Sequence, residues 1–355
     1  MKLFKKLVSR FAGSEPAEKN TKKPKPVVKK TGAQAHRREP APQKHQQAGT
    51  GFANLGLRAE ILRAIKEEGY QNPTPIQAQS IPALVAGRDL LGCAQTGTGK
   101  TAAFALPVLQ QLTQNKRRAD GIRCLVLTPT RELALQVSES FQTYGKHLRV
   151  RSAVVFGGVS LEPQKRALKR GLEVLVATPG RLLDLSQQGF VDLVGLEILV
   201  LDEADRMLDM GFLPDVKRVI KMLPTKRQNV LFSATMPKDI AALSARILQN
   251  PVTVEVAPVS STSDQVEQSL YYVRKAKKRD LLLQVLDDKT TVRVLVFTRT
   301  KATANRVAKF LVQRDITAEP IHGNKSQGAR QRALDNFKKG KTRVLVASDL
   351  AARGL

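Results

Sequence analysis

The stretch Ala94–Thr101, AQTGTGKT, limits the fold more than any other feature of this chain. Gly97 and Gly99 stand where a loop turns tightly and offers backbone N–H groups to an anion, and Lys100 with Thr101 closes the turn. Such a loop binds phosphate only when a strand feeds it and a helix N-terminus faces the anion. Apolar Leu90 and Leu91 lead in, and Thr101–Leu112 has helical spacing, so strand, loop and helix follow in the required order. A merely structural glycine turn is the bland alternative, and this context disfavours it. The candidate phosphate contacts are Thr96, Gly97, Thr98, Gly99, Lys100 and Thr101, with Lys100 meeting the β and γ phosphates and the Thr101 hydroxyl meeting Mg²⁺.

A second signature lies downstream, where Asp202–Asp205 reads DEAD at the end of the apolar run Glu197–Leu201. Acids after a strand are often a solvated loop. Paired with a phosphate loop they acquire roles: Asp202 holds the water shell of the metal shared with Thr101, and Glu203 is the carboxylate that activates water. Together the two segments describe an ATP-hydrolysing site.

Short β-branched runs alternate with helical patterns from residue 52 on, at Cys124–Leu127, Val150–Phe156, Val174–Val176, Leu196–Leu201 and Val230–Phe232. Near-continuous apolar strands of this kind are buried on both faces, the mark of an α/β fold with a parallel sheet. Polar Ser260–Asp264, after Pro258, interrupts the series, and residues 259–265 are expected to be an interdomain linker. A second series follows, with strands expected at Leu270–Val273, Val292–Phe297, Ala318–Ile321 and Arg343–Val346. The expected organisation is a basic tail over 1–50, a first domain over 51–258, the linker, and part of a second α/β domain over 266–355. The tail holds 13 Lys/Arg against 3 Asp/Glu and few large apolar residues after Phe11, so it is expected to be largely disordered. Its first eleven residues form a basic amphipathic segment that serves either as a dock or as a frayed end.

The net charge of +28 favours a polyanionic partner, nucleic acid first. Cys93 and Cys124 fall in strand-like runs and read as buried hydrophobes of a reducing, cytoplasmic compartment; no apolar run reaches membrane-spanning length. Nothing names a protein partner. In an open parallel sheet, ligands gather at the carboxyl ends of strands, and the polar signatures fall there: Thr128–Glu132, Gly157 with Gly158, Ala177–Arg181, and Ser233–Thr235. Threonine hydroxyls, glycine amides and arginines suit phosphate oxygens rather than base edges, so recognition is expected to be independent of base sequence. Taken singly, Arg131 and Arg181 read as ordinary structural arginines. Ser233 and Thr235 either hydrogen-bond an acid such as Asp205, coupling nucleotide state to backbone position, or simply cap a helix. Gln77, in GYQNPTPIQ after Phe52, either reads the adenine edge through its amide or lies on a helix surface.

In this order, Phe52 with GYQNPTPIQ, AQTGTGKT, PTREL, the Gly157–Gly158 pair, TPGR, DEAD and SAT resemble the DEAD-box ATP-dependent RNA helicases, in texture the bacterial RhlE-like group, from about Phe52 to Leu355. The resemblance implies two RecA-like domains that close on ATP, Mg²⁺ and single-stranded RNA, and that separate short duplexes. It implies adenine reading by Gln77, with Phe52 beside it, and coupling through Asp205, Ser233 and Thr235. It further implies RNA contacts at Thr130, Arg131, Gly158, Thr178 and Arg181 in the first domain, and at Arg299, Gln327, Arg330 and Ser348 in the second. Ser348 stands where the family often has threonine. The sequence ends inside a family motif, before the arginine stretch that reaches the γ phosphate, so the second domain is expected to be truncated. The competing expectation is an ATP-dependent RNA-binding clamp that hydrolyses poorly for want of those arginines.

Overall fold

The computed structural model describes residues 51–95, 97–114, 121–256, 267–288 and 290–348. The basic tail, Thr96, the linker at 259–265 and the final motif residues lie outside the described residues. Seven strands build the larger sheet: β1 (Leu90–Cys93), β2 (Cys124–Leu127), β3 (Ser152–Val155), β4 (Val174–Ala177), β5 (Ile198–Leu201), β6 (Gln228–Ser233) and β7 (Val252–Glu255). Their order across the sheet is β3-β4-β2-β5-β6-β1-β7, and every pairing is parallel.

Alternate residues of these strands feed two separate cores. Cys124, Val126, Val174, Val176, Ile198, Val200, Val230 and Phe232 face one layer. That layer is built by helices α1 (Ala59–Glu67), α2 (Pro75–Val85), α3 (Lys100–Gln114) and α4 (Arg131–Tyr144). Leu125, Leu127, Leu175, Ala177, Leu199, Leu201 and Leu231 face the other. That one is built by α5 (Leu161–Lys169), α6 (Pro179–Gln187), α7 (Ala204–Asp209), α8 (Leu213–Met222) and α9 (Lys238–Ile247). Burial on both faces explains why the strands read as unbroken apolar runs. Because all strands point the same way, Ala94, Thr128, Phe156, Thr178, Asp202 and Ser233 emerge at one edge.

The second sheet has three parallel strands in the order β8-β10-β9, where β8 is Val294–Thr298, β9 Ala318–Ile321 and β10 Val344–Ser348. Helices α10 (Lys278–Leu286) and α11 (Lys301–Val312) cover one face, packing Leu286, Ala304, Ala308 and Leu311 on Val344 and Val346. Helix α12 (Gln327–Lys338) covers Leu345 and Ala347 on the other with Ala333 and Leu334.

One expected strand is absent. Leu270–Val273 is extended coil, with Leu270 77 % and Tyr272 94 % exposed. Its β-prone residues have no ladder to join among the described residues, and strand propensity without a pairing partner does not make a strand. No helix among the described residues is long and apolar enough to cross a membrane.

Strand β1 aims the phosphate loop, and its packing depends on Gly92. A Cβ there would sit 2.3 Å from Cε1 of fully buried Phe232, whose ring lies 5.8 Å from that of Phe104. Gly92→Ala is therefore expected to destabilise the first domain by about 1–3 kcal/mol in denaturant unfolding, with partial rescue by Phe232→Leu.

Candidate active site

The loop after β1 needs its glycines. Gly97 and Gly99 hold φ values of 87° and 93°, and a Cβ on Gly99 would meet Gln77 Nε2 at 2.5 Å and Thr74 Oγ1 at 3.0 Å. Gln77 is buried at 6 % exposure, in the first turn of α2, and is not a helix-surface residue. Its Nε2 donates to the Gly99 carbonyl at 3.1 Å while its Oε1 accepts from the Thr74 backbone N–H at 2.9 Å, so the amide ties the turn before α2 to the loop. Phe52 is buried in the same core as Ile76 and Ile81. Thr98 Oγ1 donates to the Gln95 carbonyl at 2.8 Å. Lys100 opens α3, buried, with Nζ donating to the Ala94 carbonyl at 3.0 Å, and Thr101 follows half-buried in the first turn.

The carboxylates of the DEAD segment face three environments. Asp202 is 2 % exposed and its Oδ1 has no hydrogen-bond partner among the described residues. Its pKa is raised to about 7: burial is the main cause, the Lys100 ammonium opposes it, and the Glu203 and Asp205 charges add to it. Glu203 sits in the left-handed region at φ 54°, at the N-cap of α7, paired with Arg206 at 3.4 Å. A non-glycine residue held there stores strain, which persists where the surroundings force it. Asp205 Oδ2 accepts from the Thr235 N–H at 3.0 Å and from Thr235 Oγ1 at 2.9 Å. Ser233 Oγ accepts from the Asp205 N–H at 3.2 Å and donates to the Thr235 carbonyl at 2.7 Å. Of the two readings of these hydroxyls, the geometry has the bond to Asp205: Ser233 ends β6, and the next helix, α9, takes Pro237 as its N-cap. Only Thr235 reaches the carboxylate; Ser233 holds the backbone instead.

These residues fit a triphosphate with a divalent ion. A buried carboxylate oxygen lacks a partner, a buried ammonium rests on a carbonyl, and glycine-opened amides sit at the start of α3. No group of three or more His, Cys, Asp or Glu that could hold a metal ion occurs among the described residues; an ion here would draw on Asp202, Thr101 and oxygens of its ligand.

A groove of about 480 Å³ opens beside this site, between the two sheets. Thr130, Arg131, Gly157, Thr178, Arg181 and Arg330 line it, with Met210 and Phe212 on an apolar wall. Thr130 caps α4, its Oγ1 accepting from the Leu133 N–H at 3.2 Å. The Arg131 guanidinium lies over Gly158, where a Cβ would come within 2.2 Å of Nη1. Arg181 Nη2 donates to the Val159 carbonyl at 3.2 Å. Two buried guanidinium nitrogens, Arg181 Nη1 and Arg330 Nε, have no acceptor among the described residues. Arg299 is exposed after β8, and Ser348 is buried at the end of β10; neither lines the groove.

Glu132 was not singled out from sequence. It is 6 % exposed and pairs with Arg330 Nη2 at 2.7 Å, while Gln327 Nε2 donates to it at 3.2 Å. Arg131 Nη1 donates to Gln327 Oε1 at 3.3 Å, closing a four-residue bridge between the sheets. The only sequence hint was an acid inside a segment otherwise suited to anions.

Residues 74–243 match a family model described as DEAD/DEAH box helicase, and residues 277–355 one described as helicase conserved C-terminal domain. A solved DEAD box protein from Methanococcus jannaschii is 34 % identical, with 86 % of this chain and 82 % of that one covered and a TM-score of 0.56. The chain belongs to the DEAD-box helicase family. A solved structure from S. cerevisiae, a Dbp5 variant bound to RNA and ADP BeF3, is 31 % identical at a TM-score of 0.74, covering 86 % of this chain and 78 % of that one. RhpA of Helicobacter pylori, described as a DEAD-box ATP-dependent RNA helicase, is 41 % identical over 304 residues, 86 % of this chain and 61 % of RhpA. The ATP-dependent RNA helicase DeaD of Escherichia coli is 42 % identical over 307 residues, 86 % of this chain and 48 % of DeaD. This DEAD-box chain thus spans about half to three-fifths of the length of these curated relatives.

The raised pKa of Asp202 has a definite sign. The folded chain holds this proton up to about pH 7 while the unfolded chain releases it near pH 4, so the nucleotide-free protein loses stability as pH climbs through that window. Asp202→Asn is expected to stabilise the nucleotide-free chain by a margin that grows from pH 4 to pH 7 and is flat above, on the order of a few kcal/mol, in thermal unfolding across pH. A margin that does not change with pH would contradict it.

Proposed function

We propose that this chain is the catalytic part of an ATP-dependent RNA helicase, which grips the backbone of single-stranded RNA and separates short duplexes as ATP is hydrolysed. The observation that carries the reading is the shared sheet edge. Phosphate loop, DEAD carboxylates and cationic groove adjoin there, and two guanidinium N–H groups beside the groove wait for an acceptor. The RNA and ADP BeF3 held by the Dbp5 relative, and the activity named for RhpA and DeaD, support the same assignment.

In this reading Gln77 presents its remaining amide N–H and carbonyl lone pair to adenine, beside Phe52. The amides of residues 96–99 and the Lys100 ammonium hold the phosphates, Lys100 exchanging its bond to Ala94 for phosphate oxygen. Asp202 and Thr101 hold Mg²⁺, which supplies charge neutralisation as the phosphoryl group transfers. Glu203 orients water and takes its proton. The Asp205–Thr235 bonds carry a shift at the strand end from β5 to β6, and the Glu132 bridge aligns Gln327 and Arg330 with Arg131. Thr130, Gly158, Thr178, Arg181, Arg299 and Ser348 complete the backbone contacts, independent of base. Two unpaired cysteines fit a cytoplasmic location.

The test is nucleotide turnover with and without RNA or DNA of the same sequence. RNA, more than DNA, is expected to stimulate it. Glu203→Gln is expected to lower turnover about 10²–10⁴-fold while leaving ATP binding intact. Glu132→Gln is expected to weaken unwinding more than RNA-independent turnover. Equal stimulation by DNA, or turnover indifferent to Glu203→Gln, would overturn the proposal.

A further inference from the structure

We propose that helix α5 and the basic pocket at its far end form a second RNA contact, a track for phosphates of the strand beyond the groove; this rests on the groove holding RNA. The track begins at the groove itself. Gly157 lines it, the next residues carry Arg131 and receive Arg181 through the Val159 carbonyl, and Ser160 then caps α5. The helix leads from that strand end to the opposite edge of the sheet, where the chain turns at Gly171 into β4. Nine residues span about 14 Å, room for roughly four phosphates at the 3.4 Å spacing of a stacked strand.

Lys165, Arg166, Lys169 and Arg170 mark this path. At its end a pocket of about 380 Å³ is lined by Ile122, Arg151, Lys169, Arg170, Phe190 and Asp192, among others. The Phe190 ring seats both lysines, with Lys165 Nζ at 4.5 Å and Lys169 Nζ at 5.7 Å from its centroid. The Arg151 guanidinium donates to the Arg170 carbonyl at 2.7 Å and pairs with Glu173 at 3.7 Å, and the Arg151 backbone N–H donates to the same carboxylate at 2.7 Å.

Helix ends attract cations through the macrodipole, which is the ordinary explanation for basic residues here. It falls short of this cluster. Arg151, from before β3, already serves the terminal carbonyl of α5, and Arg166, Lys169 and Arg170 have no carboxylate within ion-pair distance among the described residues. Three uncompensated cations on a path continuous with a cationic groove fit a phosphate chain. Since lysines occupy the Phe190 face, bases are not stacked there and the track is blind to sequence.

The experiment measures RNA binding by fluorescence anisotropy, using oligonucleotides of about 8 and about 24 nucleotides at two salt concentrations. The triple variant Arg166→Ala, Lys169→Ala, Arg170→Ala is expected to bind the long RNA at least tenfold more weakly, with a salt slope smaller by about 2. Its affinity for the short RNA, its turnover with that RNA and its melting temperature are expected to match the parent. The charge-preserving variant Arg166→Lys, Arg170→Lys is expected to keep most of the long-RNA affinity. Long-RNA binding unchanged in the triple variant overturns the track and leaves the patch to an acidic protein partner. An equal loss for both lengths overturns it too. If the parent ignores the short RNA but holds the long one, and the triple variant loses that binding, the groove reading fails and the track as its continuation falls with it, leaving the patch as a separate RNA site.

Discussion

Everything at the working edge depends on keeping the Asp202 carboxylate out of water. It is buried beside Lys100 with one oxygen unpartnered, and its pKa is raised to about 7, chiefly by burial. An arrangement so unfavourable to the charged form persists only inside a sheet rigid enough to enforce it. The parallel sheet meets that need, since β5 lies between β2 and β6 and is covered on both faces. A divalent cation held by Asp202 would favour the charged carboxylate, and the binding of such an ion would thereby be tied to the ionisation of one side chain.

The same edge shows how a local change reaches further. The Ser233 carbonyl accepts from the Ala94 N–H at 3.1 Å where the phosphate loop begins, and Ser233 with Thr235 locks the residue three places after Asp202 to the end of β6. The neighbouring strand β1 pairs with β6 in register, Cys93 opposite Ser233, so the loop and the Ser233–Thr235 turn are fixed to the same pair of strands. On the other side of the groove, Glu132 gives Arg330 a carboxylate to hold when no phosphate is near. The guanidinium still keeps one N–H unsatisfied. The bridge therefore joins the two sheets and still leaves a donor of Arg330 open to a further acceptor.

Much of this was legible in the sequence because the signals were local. Apolar runs at Cys124–Leu127 and Ile198–Leu201 could only be strands buried on both faces, and a glycine loop before a helix reads as a phosphate cradle wherever it occurs. What stayed hidden was non-local. Leu270–Val273 has the residues of a strand and lacks a neighbour to pair with, a fact absent from any window of sequence. Glu132 lies 198 positions from the arginine it pairs with, and no spacing rule links them. Asp89 went unnoticed for the same reason: its carboxylate accepts from the Asn229 and Gln249 backbone N–H groups at 2.8 and 2.7 Å, pinning the starts of three strands through partners far along the chain.

The distribution of charge follows from the same division. Inside the edge, arginines and lysines are wholly or partly buried and each has a geometric task, so their number matters less than their aim: Lys100 on a carbonyl, Arg181 on Val159, Arg330 on Glu132. Away from it, cations such as Arg166 and Arg170 are exposed and unpaired, and act as a field rather than as a set of bonds. A backbone contact made by aimed donors survives moderate salt, whereas a field is screened within about a Debye length, roughly 10 Å at 0.1 M salt. Salt therefore separates the two parts of the surface physically. On the proposed function, the component of RNA affinity that fades first would belong to the exposed cations, and the component that remains to the aimed guanidiniums of the groove.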